Sequence, residues 1–197
     1  MTIHIEIAQG PAVMTEVRRL NHLVYAEELG QDAVQQCGHS LADPRLEQGV
    51  CFIARAEGRA IGMLAMTLPA QRFSIEDAIG ELPLTPAQRT RTVELRRLAV
   101  LREWRGRGAY PLLVDASVAH CLDSGNDLGV ISALVEHIGL YERLGYRSFG
   151  DRFRKGEAEY QPMLLSVDEL ARVGLDPRLF PQATRALRRL AGERRSA

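Results

Sequence analysis

Apolar and polar positions recur along the chain with two periods, and the changes from one to the other divide it into elements. Ile3, Ile5 and Ile7 fall at every second position, the mark of a half-buried strand over residues 3 to 8. Gly10-Pro11 closes that run, and Val13, Val17, Leu20 and Val24 then recur at helical spacing up to a stop at Gly30. Residues 30 to 49 keep neither period and contain Gly38, Asp43-Pro44 and Gly49, which predicts a long loop with at most a helical turn. Two apolar runs, 50 to 56 and 60 to 68, are joined by Glu57-Gly58-Arg59 and read as a β-hairpin. In the link that follows, Ser74 with Glu76 and Asp77, and then Thr85-Pro86, mark the starts of short helices. Residues 93 to 100 have strand content, 108 to 123 are helical, 128 to 135 form a buried strand, and 138 to 144 a short helix stopped at Gly145. Two further strands, 146 to 149 and 160 to 167, flank a polar loop from Gly150 to Gly156. Ser166 with Glu169 resembles a capping box for a helix through Val173, and 181 to 190 is a basic amphipathic helix.

That order predicts an α/β (α+β) protein: a mixed sheet of about six to seven strands with helices on both faces. Its centre is the strand–helix–strand crossover 93–100, 108–123, 128–135. With 197 residues the chain has room for one full core and a small appendage. The expected division is a domain over 1–167 and a basic helical extension over 168–197, packed on or trailing it.

Charge then narrows the function classes. Lys plus Arg and Asp plus Glu both number 25, so there is no net field to favour nucleic acid or a membrane surface. Cys37, Cys51 and Cys121 are odd in number and widely spaced, which points to reduced thiols rather than a disulfide framework or a metal site. No signal segment and no spanning run is visible, so a cytoplasmic protein, monomer or homodimer, without a metal is expected.

One stretch departs from a generic domain. Residues 93 to 100 carry Glu94, Arg96 and Arg97 inside a strand pattern, and Arg105-Gly106-Arg107-Gly108-Ala109 is a basic glycine turn leading into a helix. A strand, a glycine turn and a helix start bring backbone N–H groups and the positive end of a helix dipole to one point, which suits a phosphate.

The run LAVLREWRGRGAYPLL, from Leu98 to Leu113, resembles the acyl-donor motif of the GCN5-related N-acetyltransferase (GNAT) superfamily, and LYERLGYR, from Leu140 to Arg147, resembles its later tyrosine motif. LVYAEELG, ELRRLAV and QPMLL are similar, more diffusely, to the N-acyl amino acid synthases and autoinducer synthases; Arg96 stands where their glutamate-x-serine-arginine pattern has serine. The resemblance implies direct transfer of an acyl group from a thioester to the amine of a small molecule. The donor would be acyl-CoA or the phosphopantetheine of an acyl carrier protein, which the basic residues around Arg102, Arg105 and Arg107 would receive. Leu98, Ala99 and Val100 would then pair with the pantetheine arm, and Arg105, Gly106, Arg107, Gly108, Ala109 and Tyr110 would hold phosphate.

Tyr110 stands where the motif ends in glycine or alanine, and Pro111 lacks an N–H, so the cradle has fewer donors than coenzyme A prefers. For the chemistry, Glu94 is the expected general base, since burial in a covered strand tunes a carboxylate toward that task. Tyr141 is the expected general acid toward the departing thiolate. Arg97 suits an acceptor carboxylate, Glu136 beside His137 can orient substrate or relay a proton, and Tyr25 borders the acceptor pocket. The other readings are an acetyl-CoA-dependent N-acetyltransferase and a non-catalytic acyl-CoA or partner-binding module.

Overall fold

In the computed structural model, which describes residues 2–32 and 43–196, one eight-stranded sheet runs in the order β1-β2-β3-β4-β5-β8-β6, with β7 paired to β8. The strands are β1 (Ile3–Ile7), β2 (Val50–Ala56), β3 (Arg59–Thr67), β4 (Thr92–Val100), β5 (Leu128–Leu134), β6 (Arg147–Ser148), β7 (Phe153–Lys155) and β8 (Ala158–Ser166). All neighbours pair antiparallel except β4 and β5. That parallel pair is joined by α5 (Ala109–Asp123), as the crossover pattern requires.

The other helices are α1 (Gly10–Asn21), α2 (Pro44–Gln48), α3 (Glu76–Ile79), α4 (Pro86–Arg89), α6 (Ile138–Arg143), α7 (Val167–Val173) and α8 (Pro181–Ser196). Two residues at the centre of the sheet show why both of its faces are covered. Val130 packs with Phe73, Ile75 and Leu82 from the link before β4, while Ile131 on the next position packs with Tyr146, Met163 and Leu170. The largest cluster joins Val17 and Leu20 of α1 and Leu113 of α5 to the inner residues of β2 and β3.

Several local readings change. The first helical segment does not stay α to Gly30: from His22 to Glu28 it continues as a π-helix. Such widened turns need tertiary support, and here Tyr25 supplies a bond to β4, described below. The predicted polar loop from Gly150 to Gly156 contains β7, held by Phe153 stacked on Tyr160 across the hairpin with ring centroids 5.5 Å apart. That hairpin accounts for the extra strand. Thr85 and Gln88 do form a capping box, whereas Ser74 caps no helix and turns to Glu94 instead. Ser166 accepts from the Glu169 amide at the start of α7. Cys51 and Cys121 are buried free thiols pushed up to about 12 by burial; Cys37 and Gly38 lie outside the described residues.

The C-terminal helix docks on α5 through a buried carboxylate. Asp115, 0% exposed, accepts from the Gln182 and Ala183 amides at 3.0 and 2.8 Å, satisfying the first turn of α8. Among the described residues no helix is long and apolar enough to cross a membrane, and no group of three or more His, Cys, Asp or Glu side chains is placed to hold a metal ion.

Candidate active site

β4 and β5 pair only from Thr92 to Glu94, opposite Leu128 to Val130, although β4 runs on to Val100 and β5 to Leu134. The reason lies on the other edge of β4. Between Met63 and Ala65 the β3 register shifts, so that Arg97 and Leu98 together oppose Leu64, and Arg97 adopts φ +54°. A bulge of this kind bends and twists its strand, here away from β5.

The gap is a cleft of about 810 Å³. Its apolar wall includes Leu95, Leu98, Ile131, Leu134, Leu140 and Leu144. All five tyrosines of the chain, Tyr25, Tyr110, Tyr141, Tyr146 and Tyr160, also line it. Burial pushes Tyr141 and Tyr160 up to about 12 and raises Tyr25, Tyr110 and Tyr146 as well, so every phenol keeps its proton at neutral pH. Tyr141 packs edge-on against Tyr146 at 5.6 Å, and the nearby Tyr110 phenol adds to the rise at Tyr141. Tyr25 donates to the Leu98 carbonyl at 3.0 Å, which occupies one acceptor on the edge expected to serve the pantetheine arm.

The expected phosphate turn divides. Gly106 and Gly108 take φ +73° and +93°, values open to glycine, and both line the cleft with Arg105 and Tyr110. Arg107 and Ala109 are not among the lining residues: the Arg107 guanidinium lies over Trp104 at 5.8 Å, and Ala109 is buried at the start of α5. Arg105 is no mobile counter-charge. Its Nε donates to the Val100 carbonyl at 3.0 Å and its Nη1 meets Glu28 at 2.5 Å, stapling the end of β4 to the π-helix. Pro111 does not disturb the helix, because it sits in the first turn, where its missing N–H is no loss. The first-turn amides of Ala109 and Tyr110 remain without an intrahelical partner, and the next amide, Leu112, already bonds Gly108 at 3.4 Å.

Glu94 departs furthest from its expected place. It is 1% exposed and does not line the cleft; its carboxylate accepts from the Ser74 amide at 2.7 Å, the Ser74 hydroxyl at 2.6 Å and the Ile75 amide at 2.9 Å. A carboxylate wrapped by three donors on the far side of the strand anchors the link before β4 and does not face the cleft.

Arg96 and Arg97 do line the cleft, within an ion-pair cluster that the sequence did not reveal. Arg97 pairs with Asp32, lies 3.9 Å from Asp43 and covers the Tyr25 ring at 4.6 Å. Arg96 pairs with Asp43, and Lys155 on β7 reaches Asp32 at 3.0 Å. Burial by itself raises Asp32 and Asp43, yet the hydrogen bonds and charges of Arg97 with Lys155, and of Arg96, outweigh it and hold both below the usual aspartate range. The Arg96 side chain is 10% exposed and its Nη1 is buried without a hydrogen-bond partner. Glu136 and His137 follow β5 as exposed residues of the cleft mouth, and Glu136 is the one carboxylate among the described lining residues. The acidic partners were signalled in the sequence only by two aspartates in a stretch without periodicity.

A sequence profile of the acetyltransferase (GNAT) family matches residues 14–146. No curated protein sequence matches the chain. Solved structures with this fold include BjaI, a CoA-dependent acyl-homoserine lactone synthase determined with SAM and isopentyl-CoA, 17% identical over 87% of this chain and 86% of that one, TM-score 0.70. LasI, an AHL synthase, is 15% identical over 84% and 90% with TM-score 0.68. FeeM, an N-acyl amino acid synthase from uncultured soil microbes, is 17% identical over 88% and 96% with TM-score 0.67. At these identities the likeness is one of fold.

Proposed function

The chain belongs to the acetyltransferase (GNAT) family and is an acyltransferase; from that premise we propose that it moves a medium or long acyl group from a thioester to the amine of a carboxylate-bearing small molecule in the β4–β5 cleft. The observation that carries this reading is the cleft itself. It pairs an open strand edge, Leu95 to Val100, with an apolar volume of about 810 Å³, more than an acetyl group needs.

The reaction is a direct displacement. The neutral amine attacks the thioester carbonyl carbon, a C–N bond forms, the C–S bond breaks, and the thiolate leaves. Glu136, the carboxylate that lines the cleft, takes the amine proton, in place of Glu94. Tyr141 gives a proton to the thiolate; a phenol whose ordinary value is near 10 and is pushed to about 12 is a donor throughout the working range. The acceptor carboxylate is received at the Arg96–Arg97 pair, where Arg97 is already held by Asp32 and Asp43 and Arg96 keeps Nη1 for a new partner. Leu98 to Val100 would steady the pantetheine arm. The reduced set of amides at the start of α5 favours the single phosphate of a carrier-protein arm over the pyrophosphate of coenzyme A.

Free-thiol release, followed with octanoyl-acyl carrier protein, octanoyl-CoA and acetyl-CoA in the presence of a panel of amino acids, tests the reading. The expected order of kcat/KM is octanoyl-acyl carrier protein, octanoyl-CoA, acetyl-CoA. Saturable turnover with acetyl-CoA alone, or acceptors active only without a carboxylate, would replace it with an ordinary N-acetyltransferase.

A further inference from the structure

One buried polar group in the cleft has no role in the reaction just described. The Tyr110 hydroxyl is buried and has no hydrogen-bond partner, although the residue lines the cleft. An orphaned buried hydroxyl is costly relative to a paired one, which points to a partner that arrives with a ligand.

Its position says which part of the ligand. Tyr110 is the second residue of α5, directly after the Gly106–Gly108 turn, and it lines the same cleft as Tyr141 and Tyr146. Tyr110 thus joins the turn read as the phosphate site to the cleft wall that holds Tyr141. In a pantetheine thioester the interval between phosphate and thioester holds the amide carbonyls and hydroxyls of the arm. Burial also keeps the phenol protonated, so it offers a donor and not a charge.

We propose that Tyr110 is a donor-recognition residue whose hydroxyl donates a hydrogen bond to an oxygen of the outer pantetheine arm, past the amide carbonyl nearest the thioester. This rests on the acyl-transfer reading. It makes the phenol part of the binding surface along which the arm reaches the reacting centre, and Tyr110 a positioning residue with no part in proton transfer.

The test compares Tyr110→Phe with the unaltered protein on two donors, octanoyl-pantetheine and S-octanoyl-N-acetylcysteamine, which has the thioester but lacks the outer arm. The expected result is a KM for octanoyl-pantetheine raised about tenfold with kcat within twofold, and no change on the truncated donor. Equal KM values on octanoyl-pantetheine, an equal loss on both donors, or a fall confined to kcat would each overturn the assignment. Calorimetric binding of the unreactive thioether S-octyl-pantetheine separates this from the wider reading. A protein that binds it about tenfold more tightly than Tyr110→Phe, yet releases no thiol from any donor, keeps the recognition residue and loses the transferase. Turnover by the unaltered protein with identical binding by both forms does the reverse, and failure of the unaltered protein to bind the thioether overturns the recognition assignment as well.

Discussion

In the half of β4 that pairs with β5, Glu94 is 1% exposed and its carboxylate is closed by three donors from Ser74 and Ile75. In the half past the end of the β5 pairing, Arg96 and Arg97 lie along an open edge, balanced by Asp32 and Asp43 from outside the sheet, and border the cleft. Charges within one strand pattern thus have different surroundings, and the difference follows where the pairing with β5 ends. Where the ladder is complete, a charge can survive only by being fully satisfied within the fold. Where the ladder is broken, charges have room to meet a ligand.

The largest expected effect comes from breaking the closed half. Glu94→Ala strands three buried donors and should cost about 4 kcal/mol of stability by urea unfolding, taking about 1–3 kcal/mol per orphaned group with partial relaxation. A loss under 1 kcal/mol would mean the anchor is dispensable. On the open side, Tyr141→Phe should lower kcat about a hundredfold while leaving the unfolding midpoint in place, since a general acid contributes roughly 10² to 10⁴.

The aspartate cluster sharpens the contrast through pH. Asp43 sits below the ordinary aspartate range in the native state, so its contribution is present above the unfolded value near 4 and is lost as pH falls through the lower native one. Asp43→Asn should therefore cost about 2 kcal/mol at pH 7, a gap that closes only in acid below about pH 4. A gap that closed between pH 5 and 7 would contradict the assignment. The smallest effect is at Tyr110: without donor, Tyr110→Phe should be as stable as the unaltered protein or about 0.5 kcal/mol more so, because it relieves an unpaired hydroxyl.

Much of this frame was legible in the sequence, because it rests on local signals. The crossover of β4, α5 and β5 followed from a strand pattern, a glycine turn and helical spacing, and Arg105, Gly106 and Gly108 of the turn, with Tyr141, do border the cleft. What escaped depends on partners far apart along the chain. Glu94 meets Ser74 twenty residues earlier, and nothing in the spacing of either says so. Arg97 finds Asp32 across 65 positions. β7 is three residues, two of them exposed and charged, and owes its place to Phe153 stacking on Tyr160 rather than to any alternation. The π-helix likewise follows from tertiary contact at Tyr25, since its sequence has ordinary helical spacing. The charges of β4 look alike in the sequence, yet Arg96 and Arg97 border the cleft and Glu94 does not.

The most direct measurement is kcat for Glu94→Gln at saturating donor and acceptor, per mole of folded protein established by circular dichroism and active-site titration. With Glu94 an anchor and the chemistry on the open half, kcat should stay within about twofold of the unaltered protein even as stability falls. A folded Glu94→Gln protein whose kcat drops a hundredfold or more, the loss expected for a missing general base, would contradict the division of β4 and return the proton transfer to Glu94.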